Sequence, residues 1–359
     1  MGRSHLTLAA LATSAVPGLE VTGARSHGYG AHGEYDSALL DVRNGDQLII
    51  RVPTSQAAET EQSADLVALR SLTAGIRGRL PFDVPDFVGQ APVGGTRAVV
   101  YHFLPGAKVE LDDIAGGDGL ASSIGRSIAA IHALPTSFVG DAGLPVLSAA
   151  DCRDTVSALV DTASGTGKLP AALRERWRGA VADDALWRFQ PTVINGALSV
   201  ESILVRDESV VGVLGWSALR IGDPARDLHW LLAMRQDALE SALGAYAAER
   251  AGAEDRQVSQ RAMLYAELEV ARWLLHGREV HDVSIVDDAV QMLDGLVDRV
   301  HSDSLDPLDP ITGPVMAVTE VEQLLDATPL MRNGGEAPGL LPVADDTSEH
   351  HRLPRDEDD

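Results

Sequence analysis

The residues whose types and spacing bear on chemistry lie in 192–232, TVINGALSVESILVRDESVVGVLGWSALRIGDPARDLHWLL. A short apolar strand leads into a polar loop, residues 195–202, and strand-like runs at 203–205 and 210–214 carry the chain to a second loop at Gly215. A helix is expected to start near Asp223, ahead of Pro224. Two loops set side by side by a hairpin are how a phosphoryl-transfer site presents a base and a metal ligand to one substrate. Both loops here carry residues unsuited to that work. The acids within reach in sequence are Glu201 in the first loop, and Asp223 and Asp227 after the second.

A second motif is Gly28-Tyr29-Gly30-Ala31-His32-Gly33, a literal GxGxxG. A dinucleotide-binding loop needs a helix directly after its glycines, and here a strand and a hairpin signal follow. Two readings stand: a glycine flap over nucleotide phosphates between antiparallel strands, or a flexible hairpin tip. His32 and Glu34 crowd the loop, and Glu34 repels phosphate.

The elements that must position these loops follow from periodicity. Ser4 can cap a helix over 6–15. Strands are expected at 19–25, 35–42 and 47–52, with Asn44-Gly45 as the hairpin turn. A helix at 57–72, an extended link at 79–86 and strands at 87–91 and 97–103 complete a small, mostly β lobe. Leu104-Pro105-Gly106 marks its end. Residues 120–134 carry Ile124, Ile128 and Ile131 on one helical face, with His132 read as a structural histidine near its end. Further helices are expected at 151–163, 170–184, 236–250, 255–276 and 284–300. His276 and His281 lack a metal-ligand spacing.

Composition narrows the partners. The chain has 53 acidic and 29 basic residues, net −24, which argues against nucleic acid or an anionic membrane as partner. Fourteen of the acids, against three arginines, lie in 302–359, a stretch that reads as a disordered tail with one short helix at 315–327. Cys152 is the only cysteine, and Lys108 and Lys168 are the only lysines. The apolar run at 6–12 is short for a signal peptide, and no run reaches the roughly 18 residues of a membrane span. The expectation is a cytoplasmic protein.

Taken in order, VVYHFLPG, LASSIGRSIAAIHALP, TVINGALSVESILV and WSALRIGDPARDLHWLL resemble the hinge, first large-lobe helix, catalytic loop and Trp-to-Gly-Asp-Pro-x-x-Asp-Leu stretch of the aminoglycoside phosphotransferase family. The likeness is to its macrolide phosphotransferase-like members in particular, and covers most of residues 5–300. It implies an α+β, two-lobed, protein-kinase-like fold: a small antiparallel-sheet lobe at 1–105, a larger helical lobe at 106–301, and the acidic tail at 302–359. The family phosphorylates small molecules, typically antibiotics, from ATP or GTP with magnesium.

Carried over position by position, the resemblance places the loop histidine on Asn195, the base aspartate on Ala197, the loop asparagine on Ser202 and the magnesium-binding aspartate on Gly215. The nucleotide-binding lysine falls on or near Arg51, its helix partner near Asp65, and the glycine loop on Gly28, Gly30 and Gly33. Alanine cannot take the acceptor's proton, a role worth roughly 10²–10⁴-fold in rate. Glycine binds no metal, and arginine is not interchangeable with lysine. Neither lysine lies on that strand, so no neighbour restores the ammonium. Asp223 is expected to brace the catalytic loop and cap the helix. Glu201, Asp223 and Asp227 are the candidate compensating acids.

Three functions compete. The favoured one is a non-catalytic, pseudokinase-like protein that binds a small molecule, a nucleotide or a protein partner. The acidic body points to a cationic ligand over a polyanion. The second is an active small-molecule phosphotransferase with a rewired site, using ATP or GTP with magnesium. The third is an interaction scaffold in which the acidic tail docks a partner or folds over the cleft.

Overall fold

A computed structural model describes residues 2–28, 33–250 and 255–302. Positions 29–32 of the glycine loop and the tail from 303, with its expected short helix, lie outside the described residues.

The N-terminal lobe is a five-stranded antiparallel sheet in the order β1-β2-β3-β5-β4. Its strands are β1 (Val21–Ser26), β2 (Tyr35–Val42), β3 (Gln47–Pro53), β4 (Phe87–Val93) and β5 (Thr96–His102). Asn44-Gly45 forms the β2–β3 turn, with Gly45 at φ 93°, as the sequence predicts. Side chains alternate between the two faces of a strand, and the sheet uses both. Leu48, Ile50 and Val52 of β3, with Ala98 and Val100 of β5, pack under helix α1 (His5–Ala15). Ser4 caps α1 by accepting from the Thr7 backbone N–H at 3.2 Å. Glycine is required at Gly89 on β4, since a Cβ there would collide with the Ala15 carbonyl oxygen.

The opposite face carries Ile49, Val99 and Tyr101, which pack with Leu66 and Leu69 of helix α2 (Gln56–Ser71) and join the core of the helical lobe. The same alternation turns Arg51 toward that inner face. Ahead of the link read as extended stands a short helix, α3 (Ala74–Arg77), and the link itself pairs with the second lobe. Asp83 N–H donates to the Val211 carbonyl at 3.0 Å, and Val213 N–H donates to the Asp83 carbonyl.

The C-terminal lobe is helical: α4 (Leu120–His132), α5 (Ser137–Asp141), α6 (Ala149–Gly165), α7 (Ala171–Ala182), α8 (Ala225–Leu228), α9 (Gln236–Glu249), α10 (Val258–Glu279) and α11 (Val283–Ser302). Helices α4 and α9 cross closely, because Gly125 leaves room for the Ala242 carbonyl where any Cβ would clash with it. Ser148 and Asp151 form a capping box on α6.

Four short strands hold the two central loops. β6 (Thr192–Ile194) pairs antiparallel with β9 (Arg220–Gly222), and β7 (Ile203–Arg206) pairs with β8 (Ser209–Val213). The sequence predicts three of these; β9 lies in the stretch read as a polar loop. Among the described residues no helix is long and apolar enough to cross a membrane.

Candidate functional site

The first loop is held from below by one carboxylate. Asp227, fully buried, accepts the Asn195 N–H through Oδ2 and the Gly196 N–H through Oδ1, both at 2.7 Å. His132 Nε2 lies 3.3 Å from the same Oδ2, and its Nδ1 lies 3.0 Å from the Tyr246 hydroxyl. His132 is therefore a buried structural residue, as its place at the end of an apolar helix face suggests. Gly196 sits at φ 83°, and a Cβ there would be 2.6 Å from the Ala218 carbonyl. The loop can take this shape only with glycine.

Asp223 does something other than the sequence predicts. Its Oδ1 accepts the Ala225 N–H at 2.9 Å, which caps α8 as expected, but its Oδ2 receives Arg261 Nε at 2.8 Å. Arg261, also fully buried, bridges onward to Asp255 and to the Leu186 carbonyl, and lies 4.1 Å from the centre of the Phe189 ring. Bracing of the loop belongs to Asp227, and Asp223 anchors α10. Burial pushes the Asp223 carboxyl up, and the adjoining guanidinium works against that.

The two loops are tied directly. Asn195 Nδ2 donates to the Gly215 carbonyl at 2.8 Å, and its Oδ1 accepts the Ala197 N–H at 3.1 Å. Ala197 and Gly215 are exposed, and at Gly215, φ 71°, an added Cβ would have no neighbour within 4 Å. Ser202 contributes its carbonyl to the Leu214 N–H at 2.8 Å. Arg220, which carries no sequence signal, lies against Gly196 with its Nε donating to the Ala218 carbonyl at 2.9 Å.

Between the lobes is a cavity of about 250 Å³, and Glu34, Arg51, Asp65, Glu201, Ser202 and Gly215 are among its lining residues. The Arg51 guanidinium stacks over Tyr35, 3.9 Å from the ring centroid. It forms no ion pair with Asp65. That carboxylate instead accepts the Trp216 N–H at 2.7 Å, pinning α2 to the second loop, and burial raises its pKa. Lys108 also lines the cavity and donates to the Glu201 carbonyl. Lys108 reaches the cavity from beyond the hinge, a contact no local pattern announces. Gly28 is exposed just past the end of β1, Gly33 (φ 65°) gives its carbonyl to Thr54, and Gly30 is outside the described residues.

A magnesium ion needs several oxygen ligands, usually including carboxylates. Of the two loop positions that would hold it, Gly215 supplies no side-chain oxygen and Ser202 only a neutral hydroxyl. Among the described residues no cluster of three or more His, Cys, Asp or Glu could hold a metal. The residue set does not fit the ion.

The model of the phosphotransferase enzyme family, APH, matches residues 32–261. The chain belongs to that family. The uncharacterized protein YcbJ of Bacillus subtilis (strain 168) is 27% identical over 233 residues, which cover 58% of this chain and 73% of YcbJ. Among solved structures, apo macrolide 2'-phosphotransferase MphH from Brachybacterium faecium aligns with a TM-score of 0.67 at 23% identity, covering 81% of this chain and 98% of that one. The GDP and kanamycin complex of APH(2")-IIIa aligns with a TM-score of 0.66 at 19% identity, covering 83% and 100%. At these identities the solved structures share the family's two-lobed, kinase-like fold with this chain.

Proposed function

We propose that this family member binds a small molecule in its interlobe cleft and does not transfer phosphate. The observation that carries the reading is the engagement of both surviving aspartates. Every side-chain oxygen of Asp223 and Asp227 accepts from a backbone N–H, Arg261 or His132, and both residues are about 1% exposed or less. Neither lines the cavity. Recruiting either as base or metal ligand would strip a buried donor of its partner, at about 1–3 kcal/mol each. The residues at 197, 202 and 215 hold the loops in shape and offer no base.

One observation favours the rival reading. Glu201 is exposed on the cavity wall, so a carboxylate does stand on the first loop. An assay of γ-phosphate transfer from ATP and GTP with Mg²⁺, over a panel of aminoglycosides and macrolides, separates the two. The wild-type chain is expected to show no transfer above the uncatalysed rate. Transfer that Glu201→Gln abolishes would establish the rewired enzyme instead. The triple variant Ala197→Asp, Ser202→Asn, Gly215→Asp tests the same point from the other side. The space around Gly215 is open, so its expected penalty is the roughly 1–2 kcal/mol of a left-handed residue, with Mg²⁺-dependent nucleotide binding gained.

A further inference from the structure

In the helical lobe, cations from two elements share a single carboxylate oxygen. Arg226 of α8 lies 2.5 Å from Glu269 Oε1, and Arg272, one turn further along α10, lies 2.6 Å from the same atom. His229 Nε2, just past α8, is 3.9 Å away. Burial and the Arg226 charge push the His229 pKa down, so it adds no charge at neutral pH. A third guanidinium comes from Arg220 at the start of β9, close enough to Arg226 that burial and that charge hold its pKa below the usual value. The other acid whose charge reaches Arg220 is Asp227, and both its oxygens accept loop N–H groups.

Three arginines thus stand against one glutamate, a local surplus that runs against the chain's net −24. An ion-pair network is a sufficient account of Arg226 and Arg272, each already on Glu269. It does not account for Arg220. Its Nε donates to the Ala218 carbonyl, while Nη1 and Nη2 make no hydrogen bond or ion pair among the described residues. Like charges repel, and a half-buried guanidinium also loses hydration, so such a group is most stable beside an anion. The cluster is open to one: the Arg226, Arg272 and Glu269 side chains are 22%, 32% and 39% exposed. A guanidinium fork binds a carboxylate or a phosphate through two parallel N–H bonds.

We propose that Arg220, Arg226 and Arg272 form a site for a small molecule carrying one compact oxyanion, a carboxylate or a phosphate monoester. The site adjoins the first loop, since a Cβ on Gly196 would lie 3.0 Å from Arg220 Nε. None of the three arginines lines the interlobe cavity. The overall negative charge repels anions at a distance, so recognition here is by direct contact with the guanidinium forks. The inference goes beyond the non-transfer reading of the cleft and does not rest on it.

Calorimetric titration of the full chain with inorganic phosphate and with acetate, at low ionic strength, tests the site. At least one of the two is expected to bind; tighter phosphate assigns a phosphate monoester and tighter acetate a carboxylate. Arg220→Gln should weaken that binding by about tenfold, equivalent to about 1.4 kcal/mol. Arg272→Gln, on a separate element, should weaken it too and carries the test if Arg220→Gln does not fold. Glu269→Gln releases both of its arginines and should tighten binding several-fold, with thermal unfolding confirming that each variant is folded. No binding of either anion, binding unchanged by both arginine variants, or weaker binding in Glu269→Gln would each overturn the assignment. Phosphate binding lost in Arg51→Gln and kept in Arg220→Gln would place the anion between the lobes and overturn it as well.

Discussion

Asp227 shows how much one residue can hold without touching a ligand. Its two oxygens accept the Asn195 and Gly196 N–H groups and face His132, all inside the core. Asp227→Asn would turn an amide NH₂ toward one of those donors. Such a change is expected to destabilise the chain by about 3 kcal/mol, read by chemical denaturation, since bonds to a charged acceptor are worth about 1.5–3 kcal/mol and the orphaned donor adds to the loss. A variant within about 0.5 kcal/mol of wild type would mean, by that rough scale, that the loop is held by other contacts. At this scale the sequence was only partly legible. The substitutions at Asn195, Ala197, Ser202 and Gly215 can be read once the surrounding motif is aligned. The engagement of Asp223 away from the loop, which leaves the bracing to Asp227, cannot be, because it depends on Arg261, 38 residues beyond Asp223. Lys108 is hidden for the same reason, its partner being 93 residues away.

Among the elements, α2 and the second loop are coupled through Asp65 and the Trp216 N–H, 151 residues apart in sequence. Burial raises the Asp65 pKa above its unfolded value of 3.8. The folded chain thus holds this proton more tightly than the unfolded one, and stability contributed by the group falls as pH rises from 3.8 through the folded pKa. At neutral pH the group is a net penalty. Asp65→Asn keeps an acceptor for Trp216 and removes the charge, so it should be more stable than wild type at about pH 7, with the gain shrinking as pH approaches about 4. Asp65→Ala should instead lose about 1–3 kcal/mol near pH 4, from a buried N–H left unpaired, and less than that near pH 7, where it also sheds the penalised group. Parallel melts of the three proteins at the two pH values check this, and an Asn variant no more stable than wild type at neutral pH would contradict it. The strands of the sheet were legible because β3 and β5 alternate cleanly between two packed faces. β9 was not, since it has three residues and ends at Gly222, too short for alternation to register.

For the whole molecule, the lobes share one apolar core on the inner face of the sheet, while α1 and the outer face form a separate cluster. Anything that binds between the lobes therefore bears on the stability of both. The chain keeps the contacts that shape a phosphotransferase cleft and, on the proposed reading, lacks the groups that would fill it with a metal nucleotide. The most direct measurement is thermal unfolding of the wild-type chain in ATP or GTP, with and without Mg²⁺. A nucleotide bound at a hundredfold excess over its Kd would add about 2.7 kcal/mol to the folded state. No stabilisation that depends on Mg²⁺ is expected; a metal-dependent rise of that size would contradict the absence of a metal-nucleotide site proposed for this cleft.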